Sequence, residues 1–440
     1  MVKKVKAVKA EIGKTICLEN RFFSNFFQKK QSFNARKGIK KMLNLLQQKG
    51  IILCLICSVF LFNCGLDLAQ EPRPVNSNNR IPYVVVDTGQ DKCYNNGSVI
   101  DCPRPGERFY GQDAQYNGVE MSYRNNGDGT VTDLNTGLTW QKTPPQERLS
   151  WDNAMEYAGS LELGGHDDWR LPTIKELYSI LASWGNMKIN QPYINSEFFD
   201  CYTPGTSGNF RPIDGQYWSS TRYVGTTMRG DLSAFGYNFT DGRIKSYPVQ
   251  FGSGKGGGAS CYVRCVRGNS EYGKNKFVDN GDRTITDLAT GLMWMKADSS
   301  KGMNWEKALE YAENLEYAGY NDWRLPNVKE LHSIVDYRYA PDARDKNMRR
   351  PAIDPVFELT KAESWFWSST TFTDSISSAL YICFGQGFSA WKYNGVQMNA
   401  HGAGAQRSDP KKGNPSFYSE GHGPQGDEIR INNYVRCVRN

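Results

Sequence analysis

Short runs of alternating hydrophobic and polar residues, separated by turn sequences, are the first pattern along this chain. The stretch YRNNGDGTVTDLNTGLTWQK (residues 123–142) has two turn signals between such runs, which predicts a β-meander. An amphipathic helix is predicted next, with Ser150 as its N-cap and Gly164 at its end. A second helix follows in LPTIKELYSIL, where Thr173 and Glu176 form a capping box. From YWSST to YVRCVR the pattern predicts strands joined by long glycine-rich loops, and this order of elements is typical of an α+β domain.

The whole pattern occurs twice. Three tryptophans return after 154 positions each: Trp140, Trp151 and Trp169 recur as Trp294, Trp305 and Trp323. The second capping box has Asn327 and Glu330 in place of the first pair. Solenoid repeats are only about 20–50 residues long, so this is a duplicated domain of ordinary size. The spacing drifts after Trp218 and Trp367, which indicates stretches that are free to change length.

The beginning of the chain reads as a targeting segment. IILCLICSVFLFNC is a short apolar run preceded by lysines, typical of a signal peptide and too short to span a bilayer comfortably. Residues 42–63 have the proportions of a lipoprotein signal peptide, so residues 1–41 are interpreted as an extended or mis-assigned N-terminus. LFNC resembles a bacterial lipobox, although Asn63 departs from the usual small residue, and Cys64 is the predicted lipid anchor. An ordinary signal peptide is the alternative.

The rest of the chain divides into four parts. A polar, proline-bearing stretch over residues 64–82 suits an unfolded tether. A small cysteine-bounded module is expected over residues 83–114. Two domains follow: copy 1 covers residues 115–268 and copy 2 covers residues 276–440. Each copy is predicted to contain a β-meander, two helices and a twisted antiparallel sheet.

The cysteines after Cys64 predict a disulfide framework, because exported proteins fold in an oxidising compartment. They are Cys93, Cys102, Cys201, Cys261, Cys265, Cys383 and Cys437. The first two flank a short turn and are expected to close a small loop. No pair has the spacing of a zinc site, and neither a metal nor a cofactor is expected.

Pairing differs between the two copies. Cys383 and Cys437 are alone in copy 2, so they are the natural pair there. In copy 1, Cys201 has a choice between Cys261 and Cys265, and the sequence leaves both open.

The formal net charge of +7 is misleading. Basic residues are concentrated before Cys64, and the remaining chain has more acidic than basic residues. The electrostatic footprint of a nucleic-acid-binding protein is therefore missing, and no nucleic-acid partner is expected.

Four motifs together resemble a known family: NGDGTVTDxxTGLxW, DWRLPxxKEL, WSST and the terminal YVRCVR. They are similar to the domain at the C-terminus of Legionella collagen-like protein. More distantly, they resemble the C-type-lectin-like fold of formylglycine-generating enzyme and related bacterial surface domains. The resemblance implies an exported, adhesive or ligand-binding module with a lectin-like fold. The prototype is similar to a trimeric adhesin for sulfated glycosaminoglycans, which leaves an oligomer open.

The charged motif of DWRLPxxKEL occurs in both copies, as Asp168, Arg170 and Glu176 and as Asp322, Arg324 and Glu330. One interpretation is an acid–base site with an arginine that holds an anion. The structural interpretation is favoured, because each glutamate already serves a capping box and each arginine has a carboxylate nearby. The four histidines do not recur at equivalent positions. No catalytic residue is predicted, and a non-catalytic binding module is expected.

The turns NNGDG and DNGDR are rich in oxygen ligands, so a calcium loop is an alternative. Neither has the EF-hand spacing, and Gly129 of copy 1 is replaced by Arg283 in copy 2. Turn chemistry explains these residues without a metal.

The stretches between WSST and YVRC differ most between the copies, and loops on a rigid scaffold often carry binding residues. They mix aromatic and cationic residues, which suits an acidic or sulfated glycan. The candidates are Tyr237, Arg243, Lys245, Tyr247, Lys255, Trp391, Lys392, Tyr393, Arg407, Lys411 and Lys412.

Three functions follow from these patterns. The favoured hypothesis is a lipid-anchored protein of the bacterial outer membrane or cell surface that binds a host, matrix or glycan ligand like an adhesin. The second is an envelope enzyme or enzyme accessory related to the formylglycine-generating and sulfatase-modifying domains. The third is a structural envelope protein.

Overall fold

The computed structural model describes residues 83–202, 214–252, 256–390, 397–423 and 425–440. The chain divides into Met1–Asn78, which lies outside these ranges, and Asn79–Asn440, which forms one compact unit. The predicted signal peptide, lipid anchor and tether therefore lie outside the described residues. Among the residues that are described, no helix is both long and apolar enough to cross a membrane.

The unit combines short helices with antiparallel strands, as the sequence predicts. The helices are α1 (Trp151–Gly159), α2 (Ile174–Ser179), α3 (Trp305–Glu313) and α4 (Val328–Ser333). The strands up to the end of copy 1 are β1 (Cys93–Tyr94), β2 (Val99–Ile100), β3 (Tyr123–Asn125), β4 (Thr130–Asp133), β5 (Leu138–Gln141), β6 (Gln216–Arg222), β7 (Leu232–Asn238), β8 (Arg243–Gln250) and β9 (Val266–Gly268). Those of copy 2 are β10 (Phe277–Asp279), β11 (Thr284–Asp287), β12 (Met293–Met295), β13 (Trp365–Thr371), β14 (Ser378–Cys383), β15 (Phe388–Ala390), β16 (Gln397–Asn399), β17 (Gln406–Pro410) and β18 (Val438–Arg439).

Each copy begins with the predicted β-meander, and its last strand completes the same sheet. The strand order is β3-β4-β5-β9 in copy 1 and β10-β11-β12-β18 in copy 2. Trp140 pairs with Val266, and Trp294 pairs with Val438. All four side chains are fully buried, so YVRCVR leads into the closing strand of a core sheet.

The helices begin where the sequence predicts. The Ser150 side chain caps α1 by accepting a backbone hydrogen bond. Thr173 and Glu176 form the capping box of α2, and Asn327 and Glu330 form that of α4. These contacts are local along the chain, which is why the sequence pattern was sufficient to predict them.

The first helix is shorter than predicted. α1 ends at Gly159, whereas the sequence pattern places its end at Gly164. Gly164 lies instead in a tight turn, with a φ of +61°, that Leu163 and His166 close through two backbone hydrogen bonds. Glycine adopts this left-handed conformation readily, so the residue marks the following turn and not the helix end.

The remaining long strands of the two copies join into one sheet. Its order is β13-β14-β17-β8-β7-β6, so three strands from each copy lie side by side. The copies meet at β17 and β8, which pair antiparallel with Gln406 opposite Ile244. From either edge to the centre, the strands follow in chain order: β13, β14 and β17 of copy 2 mirror β6, β7 and β8 of copy 1. An approximate two-fold axis therefore passes through the central pair.

A reciprocal pair of lysine contacts follows the same symmetry. The Lys175 ammonium donates to the Ser333 carbonyl at 2.7 Å, and the Lys329 ammonium donates to the Ser179 carbonyl at 2.9 Å. Burial lowers the pKa of both lysines to about 8. Self-complementary contacts of this kind define an isologous interface, so the lysine of the KEL motif joins the two copies.

The cysteine-bounded module packs against copy 2. The predicted disulfide between Cys93 and Cys102 is present. The Gln90 side-chain amide makes two hydrogen bonds with the backbone of Thr371 on β13, at 2.8 and 2.9 Å. The module is therefore part of the same unit as the two copies.

Asp113 of the module is expected to make the stability of the fold depend on pH. Its carboxylate accepts hydrogen bonds from the hydroxyls of Thr88 and Thr370, at 2.8 and 2.5 Å, but burial raises its pKa to about 7. Because this is above the unfolded value of about 4, its contribution to stability is complete at low pH and is lost as the pH rises towards 7. From this group we expect the free energy of unfolding to fall by about 2 kcal/mol between about pH 5 and about pH 7.

Urea unfolding at the two pH values measures this effect. The Asp113→Asn variant keeps an acceptor for both threonines but has no charge, so its stability should change less with pH than that of the wild type. An equal fall in both proteins would assign the pH dependence to other groups.

Candidate functional site

The charged motif of each copy is occupied by structural contacts. Arg170 and Glu176 form a bidentate ion pair at 2.7 and 2.5 Å. Arg324 and Glu330 form the same pair at 2.6 and 2.7 Å. Each glutamate also accepts a backbone hydrogen bond at its helix cap. This geometry stabilises the junction between the DWRLP segment and the following helix.

The remaining aspartates of the motif bind the end of YVRCVR. Asp168 pairs with Arg267 at 2.5 Å, and Asp322 pairs with Arg439 at 2.7 Å. Both aspartates are more than half exposed, so these pairs are surface salt bridges.

The other predicted disulfides are not formed. The free cysteines are Cys201, Cys261, Cys265, Cys383 and Cys437. The prediction that Cys383 pairs with Cys437 is therefore corrected, as is the pairing of Cys201 with Cys261 or Cys265. Four of the five thiols are buried inside the hydrophobic clusters around Trp218 and Trp367, where they fill space as small apolar groups. Burial raises the pKa of Cys265 to about 12 and shifts the other four in the same direction.

The acidic turns are held by their own hydrogen bonds. The Asp128 carboxylate accepts from the backbone N–H and the hydroxyl of Thr130, at 3.0 and 2.6 Å. Asp282 accepts from Thr284 in the same way, at 3.0 and 2.5 Å. Within the described ranges, no group of three or more His, Cys, Asp or Glu side chains is placed to hold a metal ion.

Much of the predicted ligand surface lies inside the fold. Tyr237 is 0% exposed, Lys245 is 6% exposed and Lys411 is 0% exposed. Lys245 pairs with the buried Asp241 at 2.7 Å, and the Lys411 ammonium lies 4.0 Å from the ring of Trp305. The prediction that these three side chains lie in exposed loops is wrong, because Tyr237 lies on β7 and Lys245 on β8 of the shared sheet, and Lys411 directly follows β17.

Two predicted arginines are also engaged in the fold. The Arg243 guanidinium lies 4.4 Å from the ring of Phe372, and Arg407 forms an ion pair with Asp427. Tyr247 is partly buried and Lys412 is exposed. The other candidates lie outside the described residues: Lys255, Trp391, Lys392 and Tyr393.

A basic surface lies between the DWRLPxxKEL and WSST motifs of copy 2. Residues 338–350, here named the arginine loop, lie between α4 and β13. Their exposed cationic residues are Arg338, Arg344, Lys346, Arg349 and Arg350. Two of the guanidinium groups lie over the ring of Tyr339, at 5.4 Å for Arg338 and 5.0 Å for Arg350.

Most of this charge is not neutralised. Arg338 pairs with Asp336 at 2.6 Å, and Arg349 donates to the Ala343 carbonyl at 2.8 Å. Within the described residues, no carboxylate pairs with the other three cations: Arg344, Lys346 and Arg350. These side chains are available to an anionic ligand.

The backbone of the arginine loop is held by its aspartates. Asp345 caps a short 3-10 turn by accepting from the Asn347 backbone N–H at 2.9 Å. Asp342 accepts from the Asn399 side chain at 3.1 Å and from the Tyr223 hydroxyl. A preformed loop reduces the conformational cost of binding. The sequence signal for this surface is the density of cations in YRYAPDARDKNMRRP. In the corresponding stretch of copy 1, WGNMKINQPY, the only cationic residue is Lys188.

A groove of about 1020 Å³ lies beside the arginine loop, between the two copies. Met155 and Ile174 of copy 1 line it, together with the linker residues Tyr272–Asn275. Val335 and Val356 of copy 2 line it from the other side. Concave, partly apolar surfaces of this kind are the usual binding sites of proteins.

This fold defines a duplicated α+β domain. The two copies share the six-stranded sheet and a hydrophobic core cluster. The family described as the Lcl C-terminal domain matches residues 129–267 and 283–401, which together are more than half of the chain. The chain therefore belongs to this family, in two tandem copies, and the resemblance seen in the motifs is confirmed. No curated protein and no solved structure matches the chain.

Proposed function

We propose that this is an exported, lipid-anchored protein of the bacterial outer membrane or cell surface that binds an acidic or sulfated glycan through the arginine loop. The two copies provide a rigid, C-type-lectin-like scaffold for that loop. The signal-peptide pattern and Cys64 support export and anchoring, and the disulfide between Cys93 and Cys102 is typical of an oxidising compartment.

The observation that carries this proposal is the set of unpaired cations in the loop. Arg344, Lys346 and Arg350 are exposed and have no carboxylate partner among the described residues. Guanidinium groups bind sulfate and carboxylate groups with two parallel hydrogen bonds, which are stronger than neutral ones. The ring of Tyr339 adds an amphipathic surface that suits the face of a sugar.

We assign glycan binding to copy 2. Copy 1 has a shorter segment here, and Lys188 is its single cation. The duplication therefore supplies two scaffolds of which one carries the basic loop. Because the central cations of β8 and β17 are engaged with buried aspartates, they contribute to folding and not to the ligand surface.

Binding of a heparin oligosaccharide to the intact exported protein tests this function. We expect saturable binding that weakens as salt is added, and much weaker binding of the desulfated oligosaccharide. Changing Arg344, Lys346 and Arg350 together to glutamate should weaken binding by about 100-fold, because three charge-assisted contacts are lost.

A matched charge-reversal variant is the control. Lys92, Lys301 and Lys307 are exposed elsewhere on the described surface, and their joint change to glutamate alters the net charge equally. Its affinity should stay within about threefold of the wild type. Equal losses of affinity in both variants would mean that net charge, and not the arginine loop, determines binding. A wild-type protein that binds no sulfated oligosaccharide would rule out this function.

A further inference from the structure

Residues 108–116, here named the capping segment, cover one face of copy 2. The Arg108 guanidinium pairs with Glu306 at 2.6 Å. The ring of Phe109 lies 6.5 Å from the ring of Trp305. The N-terminal part of the capping segment is therefore bound to α3.

The rest of the capping segment reaches the WSST strand and the charged motif. Asp113 accepts a hydrogen bond from the Thr370 hydroxyl at 2.5 Å. The Arg324 guanidinium lies 5.3 Å from the ring of Tyr116, whose hydroxyl donates to Glu313. A carboxylate and an aromatic ring, three residues apart, are the main recognition groups of this segment.

The corresponding face of copy 1 has the same local framework. The Thr221 hydroxyl accepts from the Ile174 backbone N–H at 3.0 Å, as Thr370 does from Val328 at 3.0 Å. The tryptophan that begins α1 or α3 also donates its indole N–H to the equivalent serine carbonyl at 2.9 Å: Trp151 to Ser219, and Trp305 to Ser368. The two faces can therefore be compared residue by residue.

On copy 1 this face is open. Met155 is 41% exposed, whereas Leu309 at the equivalent position is 1% exposed beneath the module. The Arg170 side chain is 36% exposed, against 10% for Arg324. The groove of about 1020 Å³ begins on this face. Copy 1 thus presents an empty counterpart of a surface that is filled on copy 2.

Copy 1 keeps most of the groups that hold the capping segment. Trp151, Asp152, Arg170 and Thr221 stand where copy 2 has Trp305, Glu306, Arg324 and Thr370. Within the described residues, the Thr221 hydroxyl has only the Ile174 N–H as a partner, so its own proton is available to a carboxylate.

Two substitutions make the open face more basic. Arg222 replaces Thr371, and its guanidinium lies 5.2 Å from the ring of Trp151. Gly159 replaces Glu313, which removes a carboxylate. Both changes favour a ligand with more negative charge than the capping segment has.

We propose that the copy 1 face and its groove bind an extended peptide segment of a partner protein that carries a carboxylate and an aromatic ring as its two anchors. The peptide places a carboxylate on the Thr221 hydroxyl and an aromatic ring against Arg170, as Asp113 and Tyr116 do on copy 2. The groove borders the arginine loop, but the two proposed sites differ in their anchors. The peptide is held by Thr221 and Arg170 of copy 1, whereas the glycan is held by Arg344, Lys346 and Arg350 of copy 2. Glycan binding and peptide binding therefore stand or fall independently.

The peptide RFYGQDAQY, which has the sequence of the capping segment, is the probe. Fluorescence anisotropy with the intact exported protein should show saturable binding at copy 1, because copy 2 is already filled by the tethered segment. The same peptide with the Asp113→Asn change should bind about tenfold more weakly, as should the wild-type peptide to the Thr221→Val protein.

A charge placed in the groove provides the decisive comparison. Met155→Glu should remove binding by repelling the peptide carboxylate, and both Met155 and the control position are exposed, so folding is retained. Ile189→Glu is the matched control, since Ile189 is 67% exposed and does not line the groove. Unfolding midpoints of both variants verify the fold.

Three results would overturn this proposal. One is the absence of saturable peptide binding up to about 1 mM. Another is equal binding by the Met155→Glu and Ile189→Glu proteins. The third is a concentration-dependent dimer that the Met155→Glu change abolishes, which would assign the groove to a second copy of this chain.

Discussion

Replacing Arg436 with methionine is expected to lower the free energy of unfolding by about 3–5 kcal/mol. Arg436 is fully buried, and its guanidinium donates only to backbone carbonyls. They belong to Met295 (2.7 Å), Lys296 (2.5 Å), Ala297 (3.2 Å) and Glu358 (2.7 Å). The side chain therefore joins the end of β12 to the segment before β13. Arg264 has the same role in copy 1, with the carbonyls of Gln141, Lys142 and Asp200.

Two opposing effects decide the outcome for Arg436. Burying its charge is costly, as the lowering of its pKa to about 10 shows, and methionine would remove that cost. Proteins in which both partners of a buried ion pair are replaced by apolar residues are often more stable for this reason. Here the partners are main-chain carbonyls, which remain, and each unsatisfied buried acceptor costs about 1–3 kcal/mol. The loss of several hydrogen bonds therefore exceeds the gain.

Urea unfolding of Arg436→Met and Arg439→Met measures this difference. The two arginines lie three residues apart, but Arg439 is 18% exposed and pairs with Asp322, which is 56% exposed. A surface pair of this kind contributes at most about 1 kcal/mol. Similar losses for the two variants would mean that the buried carbonyl contacts do not stabilise the fold.

The Arg324→Met variant is expected to lose about 3 kcal/mol of stability, and Arg170→Met about 1–2 kcal/mol. Both arginines form bidentate pairs with a buried glutamate, so sequence alone predicts equal effects. The capping segment closes copy 2, where the ring of Tyr116 covers Arg324. Water cannot easily replace the missing guanidinium there, whereas the Arg170 side chain is 36% exposed, so water from the open groove can enter the space that its guanidinium leaves.

Unfolding free energies of the two single variants and the wild type check this asymmetry. A double variant is informative too, because sites in separate networks should have additive effects. Equal losses for the two single variants would show that the capping segment does not exclude water from the copy 2 motif.

Features that depend on neighbouring residues were predictable from the sequence. The capping boxes at Thr173 and Asn327, the meanders and the Cys93–Cys102 loop each involve residues close along the chain. The local chemistry of turns and helix ends is sufficient to specify them. The end of α1 was wrongly predicted at Gly164. Glycine with a positive φ is favoured both at helix ends and in separate turns, so the residue type alone does not distinguish the two.

Features that depend on distant strands were not predictable. Lys245 and Arg407 looked like surface cations, but β8 and β17 pair across the boundary between the copies, which buries Lys245 and leaves the Arg407 side chain only 11% exposed. The free thiols of Cys383 and Cys437 have a similar explanation, since both fill the core around Trp367. The arginine loop was not predicted as a ligand surface, because its cations precede WSST and the stretch that varies most between the copies follows it.

By itself, the sequence determined that this protein is a duplicated domain of the Lcl C-terminal family with capped helices and a small disulfide loop. Repetition and local hydrogen bonding are encoded at fixed spacings, so they can be read along one chain. Only the tertiary structure decided that the copies share a sheet, that Lys175 and Lys329 join them, and that one face is covered while its counterpart is open. Burial depends on which surfaces meet, and two nearly identical motifs can have opposite exposure when a third segment covers one of them.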